Sequence, residues 1–168
     1  MSKKSNHGHN DKVGIRSFYK LQIVDPDGTI AGEASGYNTI TNLGFNNLVN
    51  LYGTGLTGSK ISHAALGTGT APNVTDVTQL GELVTNGSNS VIRAALTAAT
   101  SSTSKTLHNT ATFASGQTTA AATIQNVGLW QTSGPISSSG TMFQGASYTT
   151  SALATNQAVN ITYDLTFA

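Results

Sequence analysis

Val159-Asn160-Ile161-Thr162-Tyr163-Asp164-Leu165-Thr166-Phe167 alternates apolar and polar residues without a break. Successive side chains of an extended chain point to opposite faces, so the five apolar residues share one side and the four polar ones the other. This is a strand with one buried face. Near the opposite end, Tyr19, Leu21 and Ile23 alternate with Phe18, Lys20, Gln22 and Val24 in the same period. Asp25-Pro26-Asp27-Gly28 then reads as a turn, in which Pro26 fixes φ and Gly28 supplies freedom. Thr29 to Tyr37 returns as the second strand of a hairpin.

The period then changes. Phe45, Leu48, Val49 and Tyr52 stand at i, i+3, i+4 and i+7, the stripe of an amphipathic helix expected to lie against the sheet. Thr41 or Asn42 can cap its start and Gly53 can stop it. Ile61 to Leu66 reads as a short strand that breaks into the glycine turn Gly67-Thr68-Gly69. After Pro72, a helical turn capped at Thr75 or Asp76 carries Val77, Leu80 and Val84. Asn86-Gly87 is a tight-turn signal. Strands are expected over about 90–100, 105–113, 120–131, 141–149 and 157–167, separated by Ala114 to Gln117 and by the Gly/Ser-rich Ser133 to Gly140. With no internal repeat, this spacing predicts a mainly β chain: an antiparallel β-sandwich, jelly-roll or immunoglobulin-like, with one or two short helices.

Residues 1–13 are polar and read as a flexible basic arm, leaving 14–168 as a single domain. Lys3, Lys4, Lys12, Arg16 and Lys20 face the single acid Asp11 in the first twenty residues, whereas the rest of the chain has three basic residues and six acids. A basic arm on a near-neutral body can bind an acidic partner surface, and Lys3, Lys4, Lys12 and Arg16 are the candidate partner-binding residues. The 168-residue chain has no cysteine, no run long enough for a membrane helix and no signal-peptide pattern at its start. Charged residues make up only 9%, while hydrophobic residues make up 38%. Threonine and serine fill the gap, and a neutral polar β surface meets partners without desolvating charge. That balance points away from enzymes and toward an assembly or binding protein.

Candidate chemical motifs fail on inspection. Gly53 to Lys60 imitates a phosphate loop, but its lysine follows the hydroxyl residue and the segment follows a helix rather than a strand. Gly67-Thr68-Gly69 lacks the third glycine and the long helix of a dinucleotide site. His7 and His9 offer two metal ligands on a mobile arm, an adventitious site at best. His63 and His108 fall in strands and read as packed or hydrogen-bonded sheet residues. Asp25, Asp27 and Asp76 suit turns and caps, and Glu33, Glu82 and Asp164 show no convergence. Trp130 reads as a core anchor. No catalytic residue, cofactor or metal site is expected, and nucleic-acid binding lacks its basic aromatic stripe.

Three segments resemble a pattern in small structural proteins of tailed bacteriophages. They are Asn38-Thr39-Ile40-Thr41-Asn42-Leu43-Gly44-Phe45; Leu66 to Pro72 with Thr75 to Leu80; and Gly128-Leu129-Trp130 with Gly140 to Phe143 and Val159 to Phe167. With the hairpin before them, the resemblance covers about residues 17–168. One departure is that Arg93, in the strand after the short helix, lacks the flanking acids of that pattern. The resemblance implies a virion structural protein made in the bacterial cytoplasm, most simply a capsid decoration (cement or knob) protein. It would bind the shell of major capsid protein as a symmetric homo-oligomer, with a trimer the form anticipated. A tail, collar or fibre component, or a module binding a host receptor or glycan through its Gly/Ser/Thr loops, are the alternatives.

Overall fold

The computed structural model describes residues 14–53, 60–68, 93–100, 105–117, 121–131 and 142–167. The element order is β1 (Ile15–Val24), β2 (Ile30–Tyr37), β3 (Thr39–Ile40), α1 (Asn42–Gly53), β4 (His63–Gly67) and β5 (Ala94–Ala95). It continues with β6 (Thr97–Thr100), β7 (Thr106–Phe113), β8 (Ala122–Trp130), β9 (Met142–Leu153) and β10 (Ala158–Phe167). These strands form two five-stranded sheets, ordered β2-β1-β10-β7-β6 and β3-β9-β8-β4-β5, with antiparallel pairing throughout. The chain is therefore a mainly β, sandwich-like fold with a short helix.

The two alternating strands that announced the fold pair with each other along their whole length, from Ile15 opposite Phe167 to Val24 opposite Ala158. Their matched faces bury Tyr19, Leu21, Ile23, Val159, Ile161 and Tyr163 against Ala64, Leu66, Ile124, Val127, Leu129 and Leu153 of the second sheet. Burying each large aliphatic side chain stabilises the fold by about 1.5–3 kcal/mol. The β1–β2 turn forms where Pro26 and Gly28 place it. Gly28 adopts φ 87°, and Asp27 Oδ1 accepts from the Thr29 amide at 2.9 Å and from the Thr29 hydroxyl at 2.7 Å. Those bonds hold the Asp27 carboxyl below its ordinary range.

Several boundaries move. The expected strand over 90–100 is two short pieces, β5 and β6, on either side of Leu96 and in different sheets. β9 runs to Leu153, past the expected end at 149, and β3 appears where no strand was expected. The glycine turn beyond Thr68, the capped helical turn at 75–84, the Asn86-Gly87 turn, the loop 133–140, the phosphate-loop imitation at 54–59 and the arm 1–13 lie outside the described residues.

The helix corrects a second expectation. α1 starts at the Thr41 cap, whose hydroxyl accepts from the Gly44 amide at 2.9 Å and donates to the Met142 carbonyl at 2.7 Å. Its buried face, however, carries Thr41, Gly44 and Asn47, with Leu48 half-buried, while Phe45 and Val49 are 45% and 68% exposed. The reason lies in β9. Leu129 pairs with Gln144 but Trp130 pairs with Met142, so Phe143 is an extra residue whose carbonyl protrudes from the ladder. Thr41 N donates to that carbonyl at 3.0 Å, and a Cβ on Gly44 would collide with its oxygen. Close docking requires the hydrogen side chain of glycine, and it leaves Phe45 and Val49 outward while Leu48 packs against Ile40 and Phe143.

Candidate partner-binding groove

The chain crosses from one sheet to the other at Asn38. Its amide donates to the Ser17 carbonyl at 2.9 Å and its side-chain Nδ2 to Ser17 Oγ at 2.9 Å, pinning the crossing to β1. Beyond it, Thr39 pairs with Gly145 and Ile40 with Gln144. The crossing leaves a surface groove of about 570 Å³ between the start of β1, the end of β2 and the first turn of α1. Its walls are Ile15, Arg16, Tyr37, Ile40 and Phe45, with Ser17, Asn38 and Thr39 on the floor side of the crossing.

The groove opens onto apolar surface. Tyr37 is 73% exposed and stands edge-on to the half-exposed Phe18, ring centroids 5.6 Å apart. Phe45 and Val49 continue the surface along α1. Single exposed apolar residues are unremarkable, but an adjoining set rimmed by polar groups marks an interaction surface. The buried Asn38 Oδ1 has no donor among the described residues.

Of the candidate partner-binding residues, Arg16 lies at the groove, whereas Lys3, Lys4 and Lys12 lie outside the described residues. The aromatic members were missed by sequence reading because Phe45 and Val49 were assigned to the core. The sequence signal that could have found them is Gly44: a glycine in the first helical turn marks the side that approaches backbone, and Phe45 cannot share it.

The other titratable groups have local tasks. Glu33 accepts from Gln22 Nε2 at 2.7 Å and pairs with Lys20 at 3.0 Å; these contacts, Gln22 first, hold its carboxyl below the usual range. His108 hydrogen-bonds Asp164 across the β7–β10 ladder at 2.5 Å. His63 opens β4 with its Nδ1 2.7 Å from the Ser62 hydroxyl, and burial, with the nearby Arg93 charge, lowers its pKa from 6.5. Both histidines are hydrogen-bonded sheet residues, as expected.

Arg93 is 5% exposed, and its guanidinium lies 3.8 Å from the centroid of the Trp130 ring, itself 1% exposed. An aromatic face stabilises a buried cation by about 2 kcal/mol or more when desolvated. Trp130 is thus the anchor of a small cluster with Ala65 and Met142, separate from the inter-sheet core. Among the described residues, no three His, Cys, Asp or Glu side chains assemble as a metal site. Comparison with known proteins adds no name to this geometry: no family model, no curated protein and no solved structure matches the chain.

Proposed function

We propose that this chain is a bacteriophage virion structural protein, a capsid decoration protein that attaches to a shell of major capsid protein. The carrying observation is the apolar groove of Ile15, Tyr37, Ile40 and Phe45, with Arg16 in its lining. A partner seated there buries aromatic surface while Arg16 and the arm lysines meet acidic groups around it, a division between anchor and rim typical of protein interfaces. The sequence resemblance supplies the viral setting. The low-charge β surface suits dense packing on a shell, because little charge is desolvated.

Counting copies in purified particles tests the assignment. Hundreds of copies per particle fit the shell; a handful moves the protein to the tail or collar and overturns the decoration reading. Phe45→Asp and deletion of residues 2–12 should each reduce attachment to undecorated shells by tenfold or more, with the folded body retained. Attachment by the arm should also weaken between 0.05 and 0.5 M salt, since exposed charges are screened over about 10 Å at 0.1 M.

A further inference from the structure

We infer that two copies of this chain pair through β2, edge to edge and antiparallel, joining their first sheets into one ten-stranded sheet about a two-fold axis. This pairing stands independently of where the protein works.

Edge strands expose unpaired backbone groups, and proteins protect them by shortness, lysine, proline or cover. Among the described residues, three of the four edges are short: β6 has four residues, and β3 and β5 have two each. β2 has eight, Ile30-Ala31-Gly32-Glu33-Ala34-Ser35-Gly36-Tyr37, with neither lysine nor proline; its one bulge, at Ala31, lies near its start and leaves Gly32 to Tyr37 in regular register. Among the described strands, its ladder partner is β1 alone. Its one charge, Glu33, is already engaged by Lys20 and Gln22.

The register follows from the backbone. Asn38 N donates to Ser17 O, so Gly36, Ala34 and Gly32 turn their amides and carbonyls toward β1. Tyr37, Ser35 and Glu33 therefore present theirs to the free edge. A two-fold axis through Ala34 sets Glu33 of each copy against Ser35 of the other, a hydrogen-bonded pair on either side. It also lays Tyr37 across from the Ile30–Ala31 end. Moving the axis to Glu33 stacks like charges, and moving it to Ser35 leaves Ile30 outside the overlap.

Two further observations favour a second copy over another strand. Ile30 and Tyr37, 55% and 73% exposed, both lie on the outer face because the ladder shifts at Ala31, and they stand at opposite ends of the strand. Antiparallel pairing brings each beside the other's counterpart, covering both twice. Charge is split the same way: Asp25 and Asp27 occupy the turn at one end of the hairpin, while Arg16 stands at the other. The two-fold places acidic end beside basic end.

Light scattering on the full chain should give a mass twice the 17.2 kDa of one copy. Ser35→Pro removes an amide that faces the free edge rather than β1, so it should yield a folded monomer, as proline is accepted on such an edge. Ile30→Lys, exposed in the isolated chain, should raise the dimer dissociation constant at least tenfold. In a chain without cysteine, Ala34→Cys should cross-link to itself on mild oxidation, since directly opposite residues in a non-hydrogen-bonded pair lie about 4.5 Å apart at Cα. A monomer at all concentrations, a trimer, or a dimer that survives both Ser35→Pro and Ile30→Lys overturns the pairing. Failure of Ala34→Cys to cross-link in a confirmed dimer overturns the register. Shell attachment is read separately through Phe45, so loss of either proposal leaves the other measurable.

Discussion

The two sheets use their outer faces differently. On the first, the outward residues form polar ladders: Lys20 with Glu33, His108 with Asp164, Thr112 with Asn160, and Thr106 with Thr166. On the second, Ala65, Trp130 and Met142 are buried outside the inter-sheet core, Arg93 lies on Trp130, and α1 docks on the protruding Phe143 carbonyl. The first sheet is a surface. The second sheet is a layer packed on both sides over the end of β8, where every residue from Asn126 to Trp130 is buried. Antiparallel sheets with one solvated face alternate, and strands covered on both faces do not.

If that contrast holds, its largest consequence is at Trp130. Trp130→Ala should cost about 3–5 kcal/mol, comparable to an inter-sheet core position, measured by chemical denaturation. It also removes the face that carries the buried Arg93. A loss below about 1 kcal/mol would make the second sheet one-sided like the first.

Gly44→Ala should come next, at about 1–3 kcal/mol, because the added methyl meets a backbone carbonyl that belongs to the β9 ladder. Gly53→Ala provides the comparison, since a Cβ there meets nothing within 4 Å. Equal effects at the two glycines would mean the helix does not dock through Gly44.

His63 adds a pH-dependent difference. Its folded pKa lies below 6.5, so the unfolded chain binds the proton first as pH falls. The associated stability is complete above pH 6.5 and is lost as pH falls toward the folded value. Thermal unfolding followed from pH 7.5 to pH 5 should show the midpoint decline, and His63→Gln should flatten that part of the curve. A decline unchanged in His63→Gln would assign it to other groups.

The smallest effect belongs to the first sheet's surface. Lys20→Ala should change stability by no more than about 1 kcal/mol, because both partners of its ion pair are exposed to solvent. A larger loss would show that the outer ladder is a structural layer and not a surface.

Legibility in the sequence follows the same division. Strands β1, β2 and β10 could be read nearly to the residue because each places one face in the core and the other in water. β8 carries no such alternation over its last five residues, yet its extent was recovered from the flanking turn signals. α1 was found with its cap, its stop and its place against the sheet, with Leu48 inward, but Phe45 and Val49 of the same stripe face out. A 3.6-residue period finds a stripe; it does not say whether the stripe meets the sheet or a partner. For the same reason the groove was invisible, since it is assembled from the start of β1, the crossing after β2 and the first turn of α1. Arg16 was singled out from charge alone, and the fold supplies the aromatic neighbours that charge cannot reveal.

By itself the sequence determined the class: alternation at both ends of the chain, turn residues between strands and too little charge for a solvated surface of ordinary kind make an antiparallel sandwich. These are local consequences of side-chain polarity and backbone geometry. Tertiary structure decided which apolar residues remain outside. The extra residue at Phe143 and the unpaired length of β2 arise from strand register, and the close approach at Gly44 joins residues more than ninety positions apart. They leave Phe45, Tyr37 and Ile30 exposed.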